Sequence, residues 1–331
     1  MFSTLRKLVL VVTMVSLCAL SFGGAAFGSA ADWPDKSKPI TMLIPFAAGG
    51  GTDFNARLVA KVMGDLLGVR VNAINRTGGQ GVVGHTAIAK GPADGYTMGD
   101  IECELNMMHW AGLTDLTYRD VTPLAMIVRS FGGLFVPYDS PYQTAKELFD
   151  AIRKDPGKMR ASGSSHGGIW HLCAAGMLEG EGFKITDTIW VPNEGAAPSL
   201  QDLAAGGLDF VVCSFNEAGP LVNAKKIRAL ASISEERLGL FPDIPTLKEA
   251  TGNDWILSPW GGIAAPGGLP EDLKVRLGEV MKQVCESDEF KESMRKVGKV
   301  PVWMGPDEFK AYLAEDDERF GAVMKSVGLA K

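Results

Sequence analysis

Ile40-Thr41-Met42-Leu43-Ile44-Pro45-Phe46-Ala47-Ala48-Gly49-Gly50-Gly51-Thr52-Asp53 decides how the rest of the chain is read. Ile40 to Phe46 is a continuous apolar run of strand length. From Phe54 to Leu67 the apolar residues return at Leu58, Val62 and Leu66 with polar residues between them, which predicts a helix. Between the two stand three consecutive glycines. Without Cβ atoms their backbone amides can converge, and with the unpaired amides of the helix start they form a cradle for an anion. One or two glycines would satisfy a plain turn, and Thr52 or Asp53 could serve merely as a cap; the third glycine favours the cradle. The lysine and hydroxyl of a P-loop are missing, so a carboxylate fits better than a phosphate.

Outward from this unit the alternation repeats. Val69 to Ile74, Tyr96 to Ile101, Phe131 to Val136, Phe210 to Cys213 and Ile227 to Ser232 read as strands, with helices at 83–90, 144–154, 169–178 and 198–205. Such alternation predicts an α/β chain with largely parallel sheets covered by helices. Length allows two domains. The tail reads as helices alone, over 271–285, 288–297 and 307–327, after a segment at 255–266 rich in Trp, Gly and Pro.

The N-terminus carries Arg6 and Lys7, the apolar run Leu8 to Leu20, and small residues up to Ala30 and Ala31. That is a secretory signal layout, and the run is too short for a membrane span. An exported, periplasmic protein cleaved near Ala30 or Ala31 is expected. The chain has 33 basic and 39 acidic residues, a formal charge of −6, and loss of Arg6 and Lys7 takes it to −8. This acidity argues against nucleic acid as a partner. Cys103, Cys173, Cys213 and Cys285 are widely spaced, with no C-x-x-C pair, so no metal or other cofactor is expected.

Two further glycine motifs compete for function. Gly79-Gln80-Gly81-Val82-Val83-Gly84 spells G-x-G-x-x-G, with Asp100 and Glu102 at the next strand end, as a dinucleotide site would require. Three residues separate it from its strand, and a packing turn is the better reading. Gly163-Ser164-Ser165-His166-Gly167 spells G-x-S-x-G and raises a serine hydrolase at Ser165. The last histidine, His171, lies on the adjacent helix rather than late in the chain. A second cradle over Gly163 to Gly168 is preferred, with donors from Ser164, Ser165 or His166, while His85, His109 and His171 are read as packing residues. Glu102, Glu104, Glu194 and Glu217 follow strands, where α/β sheets present ligand residues. Together they would repel a polyanion and favour a guest with a cationic or hydroxyl group. Trp170, Phe215 and Trp260 are candidate aromatic walls.

Further residues carry a resemblance. Trp33-Pro34, Lys38-Pro39-Ile40, the Pro45 to Asp53 turn, Asn75-Arg76, Gly78-Gly79, Asp94-Gly95-Tyr96-Thr97, Val191-Pro192, Gly195-Ala196-Ala197-Pro198, Gly207-Leu208-Asp209, Arg228-Ala229-Leu230-Ala231, Phe241-Pro242-Asp243-Ile244-Pro245-Thr246 and Trp260-Gly261 stand in order. The chain thus resembles the substrate-binding proteins of tripartite tricarboxylate transporters, the Bug receptors. The resemblance implies a type II periplasmic-binding-protein fold, with a signal peptide over 1–31, domain 1 over 32–131 plus 254–331, domain 2 over 132–253, and a cleft between. It implies a monomeric receptor, not an enzyme, that passes a small organic carboxylate, an amino or hydroxy acid among the options, to membrane permease subunits. A ligand-presenting partner of a sensor kinase is the alternative role. The resemblance implies that the ligand carboxylate is held by the Ala47 to Asp53 and Gly163 to Gly168 turns; with the residues read above, the expected ligand set is Phe46, Ala47, Ala48, Gly49, Gly50, Gly51, Thr52, Asp53, Glu102, Gly163, Ser164, Ser165, His166, Gly167, Gly168, Asn193, Glu194, Gly195, Ala196, Phe215, Asn216 and Glu217. Departures from the family pattern are Glu194 where a cation is usual, Glu102 and Glu104 where small polar residues are usual, and Gly168 and Ser165 with serine and glycine exchanged.

Overall fold

The structure is a computed structural model that describes residues 33–193 and 195–331. The signal segment and Glu194 lie outside the described residues. Among the described residues no helix is long and apolar enough to cross a membrane.

The chain begins with β1 (Ile40–Ile44), α1 (Gly51–Leu67), β2 (Val71–Asn75), α2 (Val82–Ala89), β3 (Thr97–Glu102) and β4 (Val121–Arg129). It continues through β5 (Gly132–Pro137), α3 (Ala145–Lys154), β6 (Arg160–Ser162), α4 (Ile169–Gly180), β7 (Ile189–Trp190), α5 (Ala196–Ala204), β8 (Phe210–Ser214), α6 (Phe215–Asn223), β9 (Ile227–Ile233) and α7 (Leu247–Thr251). It then returns as β10 (Trp260–Pro266), α8 (Glu271–Glu286), α9 (Asp288–Lys296), β11 (Val300–Met304) and α10 (Pro306–Ser326).

Two sheets result. The first is six-stranded in the order β11-β4-β10-β3-β1-β2, and the second five-stranded in the order β7-β6-β8-β5-β9. Parallel pairing is confined to β2-β1-β3 and β7-β6-β8. β10 runs antiparallel to both β3 and β4, β11 is antiparallel to β4, and β5 is antiparallel to β8 and β9. The sheets are therefore mixed rather than largely parallel. The cause is connectivity: β4 leads directly into β5 of the other sheet, and β10 comes back from it against the direction of β3, so neither is joined by a helical crossover.

The crossings lie side by side. Ser130 N–H donates to Pro259 O at 2.8 Å, Ser258 Oγ to Ser130 O at 3.0 Å, and Arg129 Nε to Ser258 Oγ at 3.1 Å. The tail also departs from expectation. It is not helical throughout, because β11 adds a strand to the free edge of β4. β11 is only partly buried, and its apolar run Val300-Pro301-Val302-Trp303-Met304 carries a proline that limits it to a sheet edge.

The Gly79 to Gly84 motif is a packing device. A Cβ on Gly84 would lie 2.3 Å from Pro45 Cα and 2.6 Å from Arg76 O. Glycine lets α2 press against the turn that follows β1 and so fixes that turn from behind. Cys103, Cys173, Cys213 and Cys285 are all buried and free.

Candidate functional site

The turn after β1 is held by Asp53. Its carboxylate accepts Gly49 N–H and Arg57 Nε, each at 2.9 Å, and Asn75 Nδ2 at 2.9 Å, while the same amide group of Asn75 also reaches Phe46 O at 2.9 Å. Burial alone would raise this carboxyl, but hydrogen bonds from Arg57, Gly49 and Asn75 outweigh it and bring its pKa to about 2. Gly49, at φ +83°, makes the bend. The first α-helical bond of α1 runs from Phe54 N to Gly50 O, so the amides of Gly51, Thr52 and Asp53 precede the ladder.

Against this turn lies Lys299, a residue the sequence reading missed. It enters from the tail just before β11, is 8% exposed, and donates from Nζ to Gly51 O at 2.8 Å and Asn55 Oδ1 at 2.6 Å. An ammonium has three protons, so one remains for a guest. Burial lowers its pKa, opposed by the charges of Glu102, Asp100 and Glu217.

On the second sheet, three helices begin at the same cleft: α4 after Gly168, α5 after Gly195 and α6 after Ser214. With α1 they aim four N-terminal ends, each partly positive, into one space. The space has a volume of about 990 Å³. Its walls include Phe46, Gly49, Gly50, Gly51 and Thr52 from the first turn, Glu102 at the end of β3, Glu104 just after it, and Lys299. Facing them are Ser164, Ser165, Gly168, Gly195, Ala196, Asn216 and Glu217, with Trp170 and Trp260 as aromatic walls. Trp260 is fixed by a 2.7 Å hydrogen bond from Nε1 to Asp316 Oδ2.

Several expected site residues do not line this cleft. Ala47 and Ala48 are exposed beside it, and Asp53 is the clamp just described. Gly163 is buried against Val212 O. His166 projects outward and Gly167 uses its N–H on His171 Nδ1 at 2.9 Å. Asn193 turns back to Ser164 O and Ser162 Oγ. Phe215 is 4% exposed and packs edge-on against Phe135, with Phe241 on its other side. It is a core residue rather than a wall, because the junction from β8 to α6 sends Phe215 inward and Asn216 and Glu217 outward.

The hydrolase pairing is not formed. Among the described residues no hydrogen bond joins Ser165 Oγ to a histidine; His171 accepts Gly167 N–H through Nδ1, stacks on Trp190 with ring centroids 4.5 Å apart, and donates its backbone N–H to Ser164 Oγ. Burial brings its pKa down to about 4, helped by His166. His85 behaves alike: fully buried, it bonds Gly81 O through Nδ1 at 2.8 Å and accepts Glu102 N–H through Nε2 at 3.2 Å, and burial lowers it to about 4. Both imidazoles are therefore expected to stay neutral at pH 6, which an NMR titration of their ring protons checks; a midpoint near the ordinary 6.5 would contradict these environments. Because the unfolded chain takes up those protons first, stability should fall as pH drops from about 6.5 toward 4.

The acids behave in the opposite sense. Glu102 is pushed up to about 8 by burial and the charge of Glu104, against the pull of Lys299 and a hydrogen bond from Thr52. Asp100, with no exposed surface, is raised by burial and by Glu102. Burial also raises Glu104 and, although its surface is open to the cleft, Glu217.

Two sheets joined by paired crossing strands, with helix N-termini around a polar cleft, define a solute-binding-protein architecture. The chain belongs to the tripartite tricarboxylate transporter family of receptors, whose family model matches residues 55–329. Protein BugT of Bordetella pertussis is 28% identical over 327 residues, 96% of this chain and 97% of that one. Among solved structures, R. palustris Rpa4515 with adipate superposes with a TM-score of 0.80 at 27% identity, over 90% of this chain and 99% of the other. A TctC solute-binding protein from Polaromonas, without ligand, gives a TM-score of 0.75 at 26% identity over 89% and 99%.

Proposed function

We propose that this receptor captures one small organic carboxylate in the cleft between its two sheets, as an exported periplasmic protein, and delivers it to membrane permease subunits. The observation that carries the reading is the meeting of four helix N-termini with the buried Lys299 ammonium in a space of about 990 Å³. Each helix end contributes only about 0.3–1 kcal/mol when exposed and more when dry. Affinity therefore depends on several amides together with the lysine and on closure over the guest. Rpa4515, a related chain, is described with adipate, a guest of this chemical class.

The carboxylate is assigned to the Gly49 to Thr52 turn and Lys299, faced by Ser164, Ser165, Gly168 and Gly195. The rigid bodies are assigned to 32–131 plus 254–331 and to 132–253, hinged where Ser130 bonds Pro259. Calorimetry of the mature monomer against mono-, di- and tricarboxylates and amino acids should yield saturable binding for at least one of them; binding of none would overturn the proposal.

A further inference from the structure

The cleft gathers carboxyl groups for which its own residues supply no paired cation. Glu102 and Glu104 line it from the first sheet and Glu217 from the second. Behind Glu102, two residues back on the same face of β3, Asp100 has no exposed surface and neither carboxyl oxygen has a hydrogen-bond partner. Lys299 is the cation whose charge opposes the raised pKa values of Asp100, Glu102 and Glu217. Its short contacts are nevertheless to neutral acceptors, Gly51 O and Asn55 Oδ1. Among the described residues, no ion pair includes Asp100, Glu102, Glu104 or Glu217.

The arrangement is open toward the guest. Thr52, on the carboxylate turn, hydrogen-bonds Glu102, so anion cradle and acid are immediate neighbours. Gly261 lies under Glu102, where an added Cβ would sit 3.2 Å from both carboxylate oxygens; the missing side chain leaves that face clear. Ser214 Oγ donates to Glu217 and fixes it at the start of α6. A guest with only negative charge would keep these three acids protonated, or be repelled where they ionise. A guest that also carries a positive nitrogen would supply the counter-charge these acids lack.

We propose that the cleft is built for a zwitterion: a small organic acid whose carboxylate rests on the α1 turn beside Lys299, and whose protonated amine is held by Glu102 and Glu104 from one sheet and Glu217 from the other. This rests on the carboxylate-capture reading above and extends it. The amine end then bridges the two halves, so its charge drives closure. The raised proton affinity of the acids in the empty cleft is the cost of burying carboxylates without a cation, and an ammonium ion relieves it.

Calorimetry near neutral pH tests this with matched sets: aspartate, malate and succinate; glutamate, 2-hydroxyglutarate and glutarate; γ-aminobutyrate and butyrate. In at least one set the amine-bearing member should bind about tenfold or more tightly than its partners. Glu102→Gln and Glu217→Gln should each weaken that member by about tenfold or more and leave the amine-free partner unchanged or improved. Glutamine keeps the shape of a protonated glutamate, and an unchanged melting temperature shows that each variant is folded. Amine-free members that bind as well or better in every set would overturn the zwitterion and leave carboxylate capture standing. So would glutamine variants with undiminished affinity for the amine. If no member of any set binds, and adipate does not either, both readings fall together.

Discussion

Lys299→Met should abolish most of the affinity for the carboxylate, by about a hundredfold or more. The ammonium is almost wholly buried at the start of α1, anchored by Gly51 O and Asn55 Oδ1, so its position costs little further ordering when a guest arrives. Removing one partner of a buried, hydrogen-bonded charge pair typically costs about 2–5 kcal/mol, and 1.4 kcal/mol is tenfold in affinity. Methionine fills nearly the same volume but offers no proton. Its effect on the empty protein should be smaller, because Asp100 and Glu102 already hold their protons strongly and can stay neutral. Calorimetry on the variant, with circular dichroism to establish the fold, separates the two effects. Retained affinity would mean that the turn amides suffice and that Lys299 serves only to brace α1.

Gly163→Ala should cost about 3 kcal/mol of stability, toward the upper end for an overpacked site. The added methyl would stand 2.0 Å from Val212 O and 2.9 Å from Trp170 Cβ. The obstruction is backbone: Val212 belongs to β8, whose neighbour Val211 pairs with Ser162 of β6. The end of β6 would have to leave β8, taking the Ser164 to Gly168 turn with it, so binding should weaken as well. Gly167→Ala is the control. Its Cβ meets nothing within 4 Å but φ is +77°, so only the left-handed backbone penalty of about 1–2 kcal/mol applies. Urea unfolding of both variants compares steric with conformational cost, and equal losses would contradict the packing described.

The sequence exposed those parts of the molecule whose signals are local. A continuous apolar run, a glycine cluster and a 3.6-residue repeat place β1, its turn and α1 within a few residues of each other, and no distant contact is needed to see them. The acids at Glu102, Glu104 and Glu217 were legible for the same reason, since they follow strands. Lys299 was not, because its role arises from a contact 248 residues away in the chain, and a lone lysine between a helix and a half-exposed strand carries no pattern. β11 was hidden by Pro301, which argues against a strand in an otherwise apolar run. Asp53 was assigned to the guest because it sits in the turn, although a carboxylate at the third position of a helix can instead bind the turn's own amide. Phe215 shows the limit of reading neighbours together: adjacent residues at a strand-to-helix junction point to different sides, and only the packing of Phe135 and Phe241 reveals which.

The most direct test is a crystal structure with the tightest-binding organic acid from the calorimetric panel. The carboxylate should lie within hydrogen-bond distance of the Gly49 to Thr52 amides and of Lys299 Nζ, with contacts to both sheets. A carboxylate seated elsewhere, with the turn and Lys299 untouched, would contradict the account.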